Sequence, residues 1–172
     1  LPIDELARDL RVARRFLALH WFNPAHLVPL VEVVPCSATA PDVVAWCERV
    51  LLEAGKRPRV LRRAIPGFIA NRLQYALIRE ALQLVADGVA DPETIDGVIT
   101  DCLGLRWAII GPFRSTDLAG VETAVAVANE LYPVLSTAQE PQDPLLELRE
   151  AGRLGIRSGA GFYEDPDPAS VA

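Results

Sequence analysis

The chain has 172 residues, 51% hydrophobic and 23% charged, with a formal net charge of −6 at pH 7. That composition belongs to a globular chain with enough apolar side chains for a core without disulfides. The acidic balance argues against nucleic acid as a partner, which demands a clustered positive surface, and no apolar run reaches the roughly 18 residues of a membrane span.

In chain order, residues 3–14 read as a helix ending in a basic stretch. Arg8, Arg11, Arg14 and Arg15 are offset there by Asp4, Glu5 and Asp9, so a solvated face is expected. Phe16–His20 reads as a short strand, and Trp21–Pro29 as a loop, because Pro24 and Pro29 forbid regular structure. Leu30–Val34 is rich in β-branched residues and reads as a second strand. Thr39 is placed as the N-cap of a helix running to about Ala54 and stopped by Gly55. Val43, Val44, Trp46, Cys47, Val50 and Leu51 form its expected buried face. Arg59–Arg63 is a candidate edge strand.

The character changes at Ile65-Pro66-Gly67, after which nearly everything is helical. A long helix is expected over Gly67–Asp87. Asp91-Pro92 is a capped restart leading to a helix that ends near Gly104. Gly111-Pro112 is a break, Val121–Leu135 a further helix, and Asp143-Pro144 the start of a shorter one. Asp117 is placed as a cap for the helix after it. The closing EDPDPASVA reads as disordered. The domain boundary is therefore set near residue 64, with an incomplete α/β layer over 1–64 and an α-helical domain over 65–172.

The residues that suggest chemistry begin with His20, at the end of FLALH, and Glu32, twelve residues on inside VPLVEVV. A carboxylate in an apolar strand needs a partner, and a histidine at the rim of a neighbouring strand can be one. Together they read either as a general base and the group orienting it, or as a backbone-bonded core histidine beside a solvent-facing glutamate. Asn71, early in its helix, could donate to a substrate oxygen on which negative charge develops, or could simply pack. Asn23 could bond a ligand amide or cap the WFNP turn. The segment GRLGIRSGAGFY fails as a phosphate loop, since no strand precedes it and its spacing matches no nucleotide motif. Arg153 and Arg157 in it remain possible anion contacts. His26, between two prolines, is read as exposed or structural.

Cys36, Cys47 and Cys102 form no CxxC pair and lie away from both histidines at zinc-ligand spacing. Reduced, buried or half-buried thiols in a cytoplasmic protein are expected, with no metal site. Residues 1–20 lack the basic-then-apolar order of a signal peptide. The chain has no methionine and begins with Leu1, which reads as a fragment, a processed product or half of a split protein.

The stretches LALHWFNPAHLVPLVEVV, IPGFIANRLQYALIREALQLVADGVA, IDGVITDCLGLRWAIIGPF, DLAG and GRLGIRSGAGFY, in that order, resemble the C-terminal part of the 3-hydroxyacyl-CoA dehydrogenase family. RLQYALIREA and GLRWAIIGP are similar to the branch holding L-gulonate 3-dehydrogenase, lambda-crystallin and carnitine dehydrogenase. The resemblance implies the tail of a Rossmann-like domain over 1–64, followed by an all-α domain that binds substrate and dimerises. It implies NAD-dependent oxidation of a 3-hydroxy acid or 3-hydroxyacyl-CoA, with His20 as base, Glu32 as its pair and Asn71 on the substrate oxygen. Asn23 matches a cofactor-contacting asparagine, and Arg157 stands where the family often has a cofactor-contacting lysine. The family's GxGxxG loop and catalytic serine are not in these residues, so an N-terminal Rossmann half is expected from outside them, and the isolated chain is expected to be inactive. The contrasting expectation is a non-catalytic, crystallin-like dimerisation module without the cofactor half.

Overall fold

A computed structural model describes residues 2–164; the closing segment, apart from Glu164, lies outside the described residues. The chain divides into two compact units, residues 1–75 and residues 76 onward.

The first unit is a three-stranded sheet in the order β1-β2-β3, built from Leu17–Trp21, Leu30–Pro35 and Arg57–Val60. β1 and β2 are antiparallel, whereas β2 and β3 are parallel. The parallel pair needs a crossover, and helix α2 (Pro41–Glu53) supplies it. Alternation along the strands sorts side chains onto two faces. Val31 and Val33, with Leu17 and Leu19 partly buried, pack against Cys47, Leu51 and Val44 of α2. On the other face, Val34 packs with Ile3 and Ala7 of helix α1 (Ile3–Ala7), Cys36, Leu61 and Phe68, and Ala18 joins them. By the same alternation Glu32 and His20 lie on this second face, beside Val34 and Ala18.

Several local expectations shift. The first helix is a single short element, α1, followed by turns and a 3-10 turn at Ala13–Arg15. Thr39 does not cap α2: its Oγ1 accepts from the Cys36 amide at 2.8 Å and donates to the Phe16 carbonyl, and α2 starts from Ala40 with Pro41 at its first turn. Trp46 is 56% exposed, so the buried face of α2 is narrower than the spacing suggests. The third strand is Arg57–Val60, starting two residues before the expected Arg59–Arg63 and ending three before it. α2 ends in a Schellman arrangement: the Gly55 amide bonds the Leu52 carbonyl and the Lys56 amide bonds the Leu51 carbonyl at 2.9 Å. Gly55 takes φ +74°, the left-handed turn this motif requires.

Helix α3 (Ala70–Ala86) begins in the first unit and continues into the second. It starts three residues after the expected Gly67, because Gly67 and Phe68 both have positive φ, +77° and +49°.

The second unit is helical. α4 (Pro92–Val98) is capped by Asp91, whose Oδ1 accepts from the Thr94 amide at 2.8 Å. The helix does not stop at Gly104: it passes through a π-helical stretch, Ile99–Gly104, into α5 (Leu105–Ala119). α5 is kinked at Gly111-Pro112, where the proline has no amide to donate. Asp117 lies inside α5 facing Arg114 at 3.9 Å, and α6 (Val121–Leu131) starts from Gly120 without a side-chain cap. α7 covers Asp143–Glu150. Two bonds tie the α6–α7 connection to α3: the Ser136 amide donates to Glu80 and Gln142 Nε2 donates to the Arg79 carbonyl, both at 2.7 Å. The glycine-rich segment folds back on itself, with Arg153 Nε donating to the Gly161 carbonyl, and Tyr163 Oη donates to Asp96 at 2.6 Å. Leu82 is the one buried hydrophobic residue in this unit among those described, while Ile109, Phe113, Leu118, Val121, Tyr132 and Val134 are exposed.

Candidate active site

His20 and Glu32 face each other directly in the β1–β2 register. Directly opposed residues on antiparallel strands share a face with their Cβ atoms a few ångströms apart, so the two side chains meet. His20 Nδ1 lies 2.7 Å from Glu32 Oε2. Glu32 is 2% exposed among apolar neighbours, and burial of a carboxylate is costly unless donors compensate. Its other oxygen, Oε1, accepts from the backbone amides of Ile69 and Ala70, both at 3.0 Å. These amides open helix α3, where N–H groups have no intrahelical acceptor and the helix dipole favours negative charge. One carboxylate therefore binds a strand histidine and a helix start at once.

The backbone before α3 makes this possible. Pro66 and Gly67 occupy the centre of a turn closed by the Phe68 amide on the Ile65 carbonyl at 3.0 Å. Gly67, with φ +77°, sits where a side chain is disfavoured, and a Cβ there would come within 3.2 Å of Arg72 Cγ. Phe68 follows in the same left-handed region, and its buried ring lies edge-on to the His20 ring, 5.3 Å between centroids. Phe22 stands on another side at 4.4 Å. Glu32 and two aromatic rings thus hold the imidazole, which keeps 24% of its surface open.

The hydrogen bonding sets the chemistry of the ring. With Nδ1–H donating to the carboxylate, the neutral imidazole carries its free lone pair on Nε2. Nε2 has no hydrogen-bond partner among the described residues and is not buried. An oriented, accessible nitrogen backed by a carboxylate can accept a proton and stabilise the resulting cation.

Asn71 is the second residue of α3, one position past the Ala70 amide, half-buried and without a side-chain hydrogen bond among the described residues. Asn23 lies in the β1–β2 connection, exposed and likewise unbonded. Arg157 is exposed on a 3-10 turn, Ile156–Ser158, of the second unit. Arg153 is engaged with Gly161 and, at 3.4 Å, Glu164. His26 is exposed. Three features are absent from the sequence reading: the two α3 amides on Glu32, the Phe22 and Phe68 walls, and Lys56, whose ammonium meets the loop after His20. Backbone amides have no signature in a sequence, but the PGF triplet, with its turn chemistry, is the available clue to the amides and to Phe68.

Cys36 and Cys47 are buried and Cys102 exposed, all as free thiols. Burial pushes the Cys47 thiol pKa up, so it is a poor nucleophile. Among the described residues no cluster of His, Cys, Asp and Glu could hold a metal ion, and no helix is long and apolar enough to cross a membrane.

A short, partly parallel sheet carrying this pair, continued by helices, has clear counterparts. The family model for the 3-hydroxyacyl-CoA dehydrogenase NAD binding domain matches residues 1–64, and that for the 3-hydroxyacyl-CoA dehydrogenase C-terminal domain matches residues 67–165. The chain belongs to the 3-hydroxyacyl-CoA dehydrogenase family. A 5-formyl-3-hydroxy-2-methylpyridine 4-carboxylate 5-dehydrogenase from Mesorhizobium japonicum is 36% identical over 163 residues, 95% of this chain and 53% of that protein. An L-carnitine dehydrogenase from Burkholderia mallei is 45% identical over 172 residues, 99% of this chain and 52% of the relative. The crystal structure of a 5-formyl-3-hydroxy-2-methylpyridine 4-carboxylic acid 5-dehydrogenase, described as an NAD+ dependent dismutase, superposes with a TM-score of 0.92 at 36% identity, covering 98% of this chain and 54% of that one. The chain spans about half the length of these curated relatives.

Proposed function

We propose that residues 1–64 form the last part of an NAD-binding Rossmann-like domain and residues 65–172 a helical substrate-binding and dimerisation domain, in an NAD-dependent oxidoreductase. Its substrate is a 3-hydroxy acid or a 3-hydroxyacyl-CoA, oxidised to the 3-oxo product. The observation that carries this reading is the His20–Glu32 pair, with Nε2 left accessible.

NAD, when bound, would supply the acceptor for the hydride of the carbinol carbon. His20 Nε2 removes the hydroxyl proton, so that the oxygen's electron pair can form the carbonyl as the hydride departs. Glu32 holds the tautomer and balances the imidazolium. The Asn71 amide donates to the substrate oxygen. The exposed, unbonded Asn23 has the donor and acceptor needed to meet a nicotinamide amide, and Arg157 offers a cation for an anionic portion of the cofactor. The glycine loop that cradles the dinucleotide is not among these residues, so an N-terminal Rossmann half must complete the site. Alone, the chain is expected to be inactive and to bind NAD poorly.

Replacing His20 with alanine in the complete enzyme tests the base. Turnover should fall by roughly 10²–10⁴-fold with NAD affinity unchanged. Turnover held within about tenfold of the parent would remove His20 from that role.

A further inference from the structure

Lys56 is the chain's only lysine; every other permanent cation is an arginine. Its ammonium donates to two carbonyls of the β1–β2 connection, Ala25 at 2.5 Å and Val28 at 3.1 Å, and stands 5.7 Å from the centroid of the Trp21 ring. It has no ion-pair partner among the described residues. A cation lacking a carboxylate but holding two carbonyl dipoles and an aromatic face acts as a clamp on the segment those groups belong to.

The base of the clamp is rigid. The Lys56 amide is fixed on Leu51 by the α2 Schellman motif, and the next amide, Arg57, bonds the Pro29 carbonyl at 2.8 Å. The clamped segment is short. It leaves β1 at His20-Trp21, passes Asn23, turns where the Leu27 and Val28 amides share the Pro24 carbonyl at 3.0 Å, and re-enters the sheet at Leu30. Trp21 follows His20 in the strand, so it projects from the face opposite the imidazole. The ammonium therefore grips this loop without contacting the His20–Glu32 pair. A compact head with three rotatable donors suits two carbonyls in different directions; a planar guanidinium suits it less well.

We propose that Lys56 is a positioning residue: it fixes the loop that carries Asn23 and so sets cofactor affinity, without taking part in proton transfer. The functional half of this inference rests on the NAD-dependent reading above. The experiment is Lys56→Met, read in two ways. Amide hydrogen exchange on the 172-residue chain should accelerate about tenfold or more at Leu27 and Val28, while Val33, in the sheet interior, keeps its protection. In the complete enzyme, KM for NAD should rise about tenfold to 10²-fold, with kcat within about threefold and its pH profile unmoved. Unchanged exchange at Leu27 and Val28 would overturn the clamp. Faster exchange with unchanged KM, or a loss confined to kcat, would overturn the link to cofactor binding. A parent enzyme without NAD-dependent turnover would refute the functional reading instead, and the exchange result would still decide the clamp.

Discussion

Glu32 bonds His20 with one carboxylate oxygen and the opening of α3 with the other: Oε2 lies 2.7 Å from Nδ1, and Oε1 lies 3.0 Å from each of the Ile69 and Ala70 nitrogens. The carboxylate that holds the His20 ring is thus also the group that seats the helix bearing Asn71. Removing the carboxylate and removing only its charge should give different results. Glu32→Ala strips three donors of their acceptor and should cost on the order of 3 kcal/mol or more. Glu32→Gln keeps an oxygen for the two amides and should cost less, while presenting an amide that cannot balance an imidazolium. Urea unfolding should rank the parent above Gln and Gln above Ala, and turnover of the complete enzyme should fall by roughly 10²-fold or more in both. Equal midpoints for Ala and Gln would mean the α3 amides do not depend on this side chain.

The turn in front of α3 should be as sensitive as the pair it serves. Gly67→Ala places a side chain at φ +77°, a conformation that costs an L-residue roughly 1–2 kcal/mol, and its Cβ crowds Arg72 Cγ at 3.2 Å. The amides of Ile69 and Ala70 follow directly, so the strain acts on the Glu32 contacts. We expect the variant chain to melt several degrees lower. Faster amide exchange should concentrate at Ile69 and Ala70 rather than across β2. Exchange spread evenly over the sheet would argue that the turn does not seat the helix.

The pairing of His20 with Glu32 could be read from the chain because strand pairing turns sequence spacing into contact. Two apolar strands joined by a proline-rich loop must fold back, and the residues at matching distances then face each other. The helical stretch was equally legible in outline, since Asp91-Pro92 and Gly111-Pro112 act locally through a cap and a missing amide. What escaped were features decided by tertiary context. Thr39 looks like an N-cap, but the Phe16 carbonyl and the Cys36 amide draw it away from α2. Trp46 fits an apolar helical face, but the sheet packs against Val44, Cys47 and Leu51, and Trp46 stays 56% exposed. Gly67 and Phe68 read as the start of a helix, but both adopt positive φ and delay it. Lys56 sits in GKRPR, where a single cation among arginines gives no hint that its target is a loop about thirty residues earlier.

The helices beyond Tyr75 leave large apolar side chains uncovered. Ile109 is 78% exposed and Phe113 87% exposed, on either side of the α5 kink. Large exposed apolar side chains favour burial in an interface, and self-association is the dimerisation proposed above for this unit. Sedimentation of the chain at micromolar concentration should give a dimer. The double change Ile109→Arg and Phe113→Arg should shift it to monomer without loss of helical circular dichroism. A monomeric parent chain would reject self-association through this surface.

The pH dependence of the helical unit should bracket neutrality, with one group acting at each end. Asp91 has its carboxyl pKa lowered from 3.8, first by accepting from Thr94 at the start of α4. A depressed folded pKa means that this contribution is complete above about 4 and is lost as pH falls through the lower, folded value. Tyr163 is opposite in direction: donating to Asp96 pushes its phenol up to about 12 from 10.0. The neutral phenol is favoured in the folded chain, so that contribution is complete below pH 10 and is lost as pH rises through about 12. The melting-temperature gap between parent and Asp91→Ala should therefore be widest near neutrality and close in acid. The gap for Tyr163→Phe should persist from pH 5 to 9 and close only in strong alkali. A Tyr163→Phe gap that closed already at pH 9 would mean that the contact with Asp96 does not hold the C-terminal segment on α4.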